Sequence, residues 1–176
     1  MIPPPEFSRA VAIETLQAAP REMAIEADEQ ERAALATRFG LIAVDSLMAE
    51  FELSRDGGTV AARGTLSATV TQSCVATAEP VPASLKESFE IAFLPLPNPA
   101  KSEEEVELDG NELDTIFYEG GAIDIGEAVA ETLFLSLDPY PRAPQAEEAL
   151  RAAGVISEEE ARPAGALAGL KDLLGK

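Results

Sequence analysis

The sequence has 176 residues, of which 32 are Asp or Glu and 13 are Lys or Arg, so its formal charge at pH 7 is −19. It contains no His and one Cys, which excludes His-based catalytic triads, His-ligated metals, internal disulfides and cysteine zinc cages. So anionic a chain repels phosphate, which disfavours direct binding of nucleic acid and favours a basic protein partner. The simplest alternative is that the charge only keeps the protein in solution.

Neither a membrane span nor a signal peptide is predicted. No stretch approaches the ~20 unbroken apolar residues that a membrane helix needs. The first six residues, MIPPPE, lack the basic-then-apolar pattern of a signal peptide. We therefore expect a cytoplasmic location.

The first 40 residues predict two short strands and a helix. Residues 6–13 and 21–26 alternate between inward and outward positions with the period of two that is typical of strands. Asp28 predicts the start of a helix, because its carboxylate can cap the first turn and Glu31 completes a capping box. Gly40 predicts the end of this helix.

Three long strands follow, each with one apolar side. The first alternates from residue 47 to 53, and the glycine pair at residues 57–58 predicts a tight turn into the second. The second alternates from residue 66 to 74 with one interruption, and the third from 85 to 93. Consecutive strands of this kind predict an antiparallel β meander whose apolar side is covered by helices.

The second half of the chain predicts a long loop followed by a helix. Residues 95–121 are rich in Pro, Glu and Asp, and predict a loop with one short strand. A helix then starts at Asp124, and its apolar packing stripe consists of Ile125, Ala128, Val129, Leu133, Leu135 and Leu137.

These elements predict an α+β fold. Its centre is an antiparallel β meander, either an open sheet or a partly closed barrel, with two packed α-helices. Residues 1–141 are interpreted as a single domain. Residues 142–176 are interpreted as a flexible acidic, Ala-rich tail with short helices, one of them near residues 146–153.

Only a few residues of the predicted domain stand out as candidate contacts. Gln72 interrupts the apolar side of its strand, where its amide needs a partner. The structural alternative is a backbone hydrogen bond or a place at the edge of the sheet, and the functional one is partner binding. Glu131 borders the apolar stripe of the second helix. We interpret it as a structural or partner-facing carboxylate, since no second carboxylate is positioned beside it for acid catalysis. Cys74 is interpreted as a small core residue.

The tail contains a further candidate. Leu167, Leu170 and Leu174 recur at the spacing of one helical face. A helix with this stripe either docks into a groove on a partner or folds back on its own domain. The acidic run at residues 103–107 lacks the spacing of a metal site, so neither a metal nor a cofactor is predicted.

Several of these segments resemble alphaproteobacterial members of the YceD family. The resemblance rests on PEFSR at 5–9, ERAALATRFGL at 31–41, QSCVATAEPV at 72–81, IDIGE at 123–127, AETL at 130–133 and LDPYP at 137–141. It implies a cytoplasmic, non-enzymatic large ribosomal RNA subunit accumulation protein, needed for normal levels of 23S rRNA. Many members carry paired cysteines suggestive of a metal, but Cys74 stands alone here, so no metal role carries over.

The resemblance and the charge together lead us to expect a ribosome biogenesis factor that supports 23S rRNA accumulation and large-subunit assembly, and not an enzyme. The expected partner is a basic ribosomal protein or a large-subunit assembly intermediate. Gln72, Glu131 and the three tail leucines are the candidate contacts. The alternative is a factor that touches rRNA directly through a patch formed by Arg9, Arg32, Arg38 and Arg63.

Overall fold

In a computed structural model of the chain, the described residues are 5–97 and 114–155. The strands are β1 (Ala10–Ala12), β2 (Arg21–Glu26), β3 (Ala43–Asp56), β4 (Thr59–Ser73), β5 (Pro80–Pro95), β6 (Asp114–Tyr118) and β7 (Ala122–Asp124). The α-helices are α1 (Glu29–Phe39), α2 (Ile125–Ser136) and α3 (Ala146–Ala152), and a short 3-10 helix spans Ile13–Thr15.

Five strands form one sheet in the order β2-β3-β4-β5-β6, and β1 pairs with β7 in a separate two-stranded sheet. Strands β2 to β5 are antiparallel neighbours in chain order, whereas β6 lies parallel to β5. Within residues 5–97 and 114–155 the sheet does not close on itself, so the meander is open. The predicted α+β fold is confirmed; the parallel pairing of β6 is not a feature that the sequence pattern predicts.

The inner face of the sheet is the apolar side of its long strands. Leu53, Val60 and Leu66 on this face are fully buried. The turn between β3 and β4 contains Gly57 with a φ of 58°, and it aligns the two strands in the register that directs all three side chains inward. Burying a side chain of this size contributes about 1.5–3 kcal/mol, so this face is a main source of the stability of the domain.

Helix α1 begins and ends as its sequence predicts. The Asp28 carboxylate accepts a hydrogen bond from the Glu31 N–H, and the Glu31 carboxylate accepts one from the Asp28 N–H at 2.8 Å. Gly40 ends the helix in the left-handed conformation, with a φ of 66°. Between these ends, fully buried Leu35 belongs to the core cluster that contains the inner face of the sheet. The predicted capping box and terminator are therefore confirmed.

Asp124 ties the N-terminal segment to the start of α2. Its carboxylate accepts from the N–H groups of Gly126 and Glu127, as an N-cap does, and also from the Arg9 N–H at 2.8 Å. The predicted first strand spans residues 6–13, but β1 begins only at Ala10. The strand is shorter because the chain just before it bonds to the Asp124 side chain instead of to a neighbouring strand.

Gly126 lies where this N-terminal segment crosses α2, and we predict that Gly126→Ala destabilises the domain. A Cβ at this position would lie 2.4 Å from the Phe7 carbonyl oxygen and 2.8 Å from the Arg9 nitrogen. These are backbone atoms and have no rotamer to change, so overpacking, at about 1–3 kcal/mol, outweighs the ~1 kcal/mol that Ala gains in helix propensity. Chemical denaturation measures the loss, and Gly121→Ala, which meets no atom within 4 Å, is the control. Equal stability of the two variants would contradict the close crossing.

The chain beyond residue 141 contacts the domain at Cys74. Strand β4 ends at Ser73, and Cys74 lies just after it, buried with Ala143 and Ala146 in a small second cluster. The Ala143 N–H donates a hydrogen bond to the Cys74 Sγ at 3.3 Å, which lowers the pKa of the thiol to about 7. Cys74 is a core residue, as predicted. Helix α3 lies within the predicted helical stretch 146–153, and the domain boundary after residue 141 stays a prediction.

The packing on Cys74 predicts how fast the thiol reacts. Removing residues 142–176 uncovers the sulfur, so its reaction with a chromogenic disulfide reagent at pH ~8.5, near the ordinary thiol pKa, should accelerate by at least ~10-fold. The full chain in denaturant sets the upper limit of the rate. If the truncated and full chains react equally slowly, the segment after residue 141 does not shield Cys74.

Candidate docking groove

A surface groove lies where the ends of α1, β4 and α2 meet. We call it the α2 groove and define it by Phe39, Gln72, Val75, Phe134, Leu135 and Pro139. Its volume is about 540 Å³, which is within the usual range for binding clefts, ~300–1,000 Å³. It contains one of the predicted contact residues, Gln72, and α2 carries a second, Glu131. The three tail leucines lie outside the described residues.

The α2 groove has unusually exposed apolar side chains. Phe134 and Leu135, consecutive on α2, are 51% and 78% exposed, and Val75 on the opposite wall is 55% exposed. The Phe134 ring rests on the Phe39 ring with their centroids 5.1 Å apart. Clustered apolar exposure of this kind is typical of an interaction surface, whereas single exposed apolar residues need no explanation.

The exposure of Leu135 corrects the predicted packing stripe of α2. Fully buried Leu133 and Val129 face the core as expected. Leu135 is two residues beyond Leu133, about 200° around the helix, so the two cannot face the same surface. Ala128, two turns earlier on the side of Leu135, is buried, and α2 contacts β1, but the cover over Ala128 does not extend to Leu135. The prediction that Leu135 packs inward is therefore wrong.

Gln72 holds one wall of the α2 groove in position. The residue is 8% exposed, and its side-chain nitrogen donates to the Asp138 carbonyl oxygen at 2.8 Å. The Asp138 carboxylate in turn accepts from the Tyr140 N–H at 2.9 Å. The amide therefore has the backbone partner that the structural alternative requires. A direct contact between Gln72 and a partner stays a prediction.

Glu131 lies on α2 one turn before Leu135. Partial burial raises the pKa of its carboxyl, and the nearby charge of Glu127 raises it further, while Arg38 acts in the opposite direction. Arg38 is itself bound by Glu127, with nitrogen and oxygen 2.6 Å apart, and by Glu6 at 2.9 Å. The Glu127 carboxylate is thus held in this ion pair. Among residues 5–97 and 114–155, Glu131 has no hydrogen bond or ion pair of its own.

The four arginines proposed as an RNA-binding patch have partners within the chain. Arg9 binds both oxygens of the Glu31 carboxylate, Arg38 binds two glutamates, and Arg63 binds Glu90. Arg32 donates to the Ala27 carbonyl oxygen at 2.7 Å. Arg63 stands opposite Glu52, on the outer face of the sheet, whereas α1 covers the inner face. The four arginines therefore do not form one cationic surface.

In the described part of the chain, no group of three or more His, Cys, Asp or Glu residues is arranged to hold a metal ion. None of the helices described is both long enough and apolar enough to cross a membrane. The acidic run at residues 103–107 lies outside the described residues.

The sequence prediction missed three apolar residues of this region: Val75, Phe134 and Tyr140. The consecutive apolar residues 133–135 were a usable signal, because a helix of 3.6 residues per turn cannot bury three neighbours on one side. No comparable signal marks Val75 or Tyr140. Their exposure depends on how the β4–β5 connection meets the segment after α2, where the Val75 N–H donates to the Pro141 carbonyl oxygen at 2.9 Å.

The raised pKa of Glu131 predicts a pH-dependent effect of Glu131→Gln. A carboxyl with a higher pKa in the folded protein than in the unfolded chain binds its proton more tightly when folded. The free energy of unfolding therefore falls as the pH rises, over the range from the pKa of this carboxyl in the unfolded chain to its higher pKa in the folded protein. Gln cannot ionise and escapes this loss. The free energy of unfolding of the variant minus that of the parent should therefore be larger at pH 7 than at pH 4.

Denaturant unfolding at both pH values measures this difference. Glu119→Gln, at an exposed glutamate in the turn between β6 and β7, is the matched control and should show a smaller change. A Glu131→Gln effect that is the same at pH 4 and pH 7 would contradict the burial of this carboxyl.

Comparison with protein-family models finds one match, over residues 62–174, to the model described as Large ribosomal RNA subunit accumulation protein YceD. The matched range is more than half of the chain, and it includes the residues that β4 and α2 contribute to the α2 groove. Comparison with curated proteins and with solved structures finds no match.

Proposed function

Because the chain belongs to the YceD family, we propose that it promotes large-subunit assembly by binding a basic ribosomal protein. The family's description gives it a role in the accumulation of large-subunit ribosomal RNA. The finer proposal is that this protein holds or delivers a basic component, and that the RNA fails to accumulate when the component is missing.

The observation that carries this proposal is the uncompensated negative charge. The net charge is −19, and three of the four arginines considered for RNA binding are already paired with carboxylates. Glu22 and Glu52 even stand directly opposite each other on β2 and β3, an arrangement that costs stability. Such a surface attracts a cationic polypeptide and repels the sugar-phosphate backbone.

The same features support a role without catalysis. The sequence has no imidazole to act as a general base. Glu131, the carboxyl with a raised pKa, has Glu127 as its acidic neighbour, and Glu127 is held by Arg38. An acid–base pair needs two carboxyls facing a common cleft. The apolar side chains of the α2 groove suit contact with a protein better.

A retention experiment with separated ribosomal components tests the proposal. The immobilised protein is exposed to proteins extracted from purified large subunits and, separately, to large-subunit rRNA. We expect it to retain one or a few basic large-subunit proteins and to release them as the salt rises from ~0.05 M to ~0.5 M, because salt screens the attraction.

Proteins extracted from small subunits are the control, since they are also basic. Equal retention of both sets would indicate non-specific charge attraction, and retention of rRNA without any ribosomal protein would favour the direct RNA-binding alternative. In cells that lack the protein, the ratio of large-subunit to small-subunit rRNA should fall, and re-expression should restore it.

A further inference from the structure

We infer that the α2 groove is the docking surface for the partner, and that it takes a segment of a basic protein in which a bulky apolar side chain lies about one helical turn from a Lys or Arg. This inference rests on the proposed function. It adds a location on the molecule and a recognition pattern, and either can fail while the proposed function stands.

The apolar half of the pattern comes from the exposed walls of the groove. Leu135 is the most exposed large apolar residue in residues 5–97 and 114–155, at 78%, and Phe134 beside it and Val75 across from it are each more than half exposed. A bulky side chain inserted between these walls removes apolar surface from water on both partners. Anchors of this kind dominate the energetics of helix-in-groove recognition.

The cationic half of the pattern comes from Glu131. This carboxylate lies four residues before Leu135, on the same side of α2, because residues at i and i+4 are neighbours on a helix. Arg38, the cation whose charge acts on this carboxyl, is committed to Glu127 and Glu6. A Lys or Arg of the partner would supply the ion pair that Glu131 lacks among the described residues.

The groove is already formed without a partner. Stacking of Phe134 on Phe39 fixes one wall, and the hydrogen bond from Gln72 to the Asp138 carbonyl oxygen holds the segment that follows α2. The bond from the Val75 N–H to the Pro141 carbonyl fixes the other wall. A preformed site loses little conformational entropy on binding, so its apolar contacts count more fully toward affinity.

Charge favours a basic partner over the tail of the chain itself. Residues 156–176 also place a lysine, Lys171, four residues after Leu167, but with four acidic and three basic residues this segment has a net charge of −1 and gains less from an acidic protein than a basic partner does. A basic ribosomal protein supplies both the apolar anchor and the cation. Occupation of the groove by the tail is therefore treated as an outcome that the experiment can detect.

The test compares groove variants with matched variants elsewhere. Leu135→Glu places a charge in the groove. Leu96→Glu makes the same change at a leucine that is 51% exposed; it follows β5 and lies near the start of β4, whereas the groove lies at the end of β4. Glu131→Lys reverses the proposed counter-charge, and Glu50→Lys makes the same change in net charge on the outer face of the sheet. All four side chains are exposed, so the fold should be retained, and circular dichroism and thermal unfolding check this.

Binding of proteins extracted from purified large subunits is measured for each variant. We expect Leu135→Glu and Glu131→Lys each to weaken retention about tenfold or more, and Leu96→Glu and Glu50→Lys to stay within about twofold of the parent. A photo-crosslinking residue at position 135 should join to a segment of a basic protein with Lys or Arg near an apolar residue. The same crosslinker at position 96 should give no such product.

Each contrary result has a defined meaning. Unchanged retention by both groove variants, or an equal loss in the two matched variants, would overturn the groove assignment and leave the proposed function in place. A crosslink from position 135 to residues 164–176, with binding that strengthens when those residues are removed, would make the tail the occupant and overturn the inference. Failure of the parent protein to retain any large-subunit protein would instead overturn the proposed function.

Discussion

Leu47, Leu53 and Leu66 are almost wholly buried on one face of a sheet whose other face is rich in Glu, Thr and Ser. The long strands can remain in water only if this single apolar face is covered, and the arrangement of the helices follows from that constraint. Helix α1 lies over β3, and α2 contacts β4 and β5. The exception on this face is Glu87, which stands directly opposite Leu66 and is exposed.

The charged side chains then decide how the covering elements are held together. Arg9 joins the N-terminal segment to α1 through Glu31, and Arg38 joins α1 to α2 through Glu127. The guanidinium of Arg9 holds the pKa of the Glu31 carboxyl below its usual value. These ion pairs use two of the 13 Lys and Arg residues of a chain that has 32 Asp and Glu. The remaining negative charge is left to act on partners, which links the internal packing to the proposed role in assembly.

The α2 groove is a consequence of the same packing. Helix α2 buries the side that faces the sheet, and its last turn extends beyond the cover that the N-terminal segment provides at its start. Phe134 and Leu135 are therefore left at the surface, and one turn earlier lies Glu131, which has no ion pair within residues 5–97 and 114–155. Gln72, on the apolar side of β4, is satisfied by the Asp138 carbonyl oxygen and so contributes to the shape of the groove. A structural role for Gln72 is compatible with a binding role for the surface it supports.

The sequence by itself determined the features whose physical causes are local. The capping box of Asp28 and Glu31, the glycine turn after β3 and the start of α2 at Asp124 depend on residues within a few positions of one another. The two-residue period predicted the strands and their inward sides, because successive side chains of a strand point in opposite directions.

Only the tertiary structure decided what depends on distant parts of the chain. The parallel pairing of β6 with β5 and the ion pair of Arg38 with Glu127 join residues that are far apart in sequence. The exposure of Leu135 likewise depends on where distant elements lie. Helical periodicity states which residues share a side, but whether that side is covered depends on where other elements end. For that reason the sequence predicted Gln72 and Glu131 as separate candidates, and the fold was needed to place Gln72 in the α2 groove, with Glu131 one turn before Leu135 on α2.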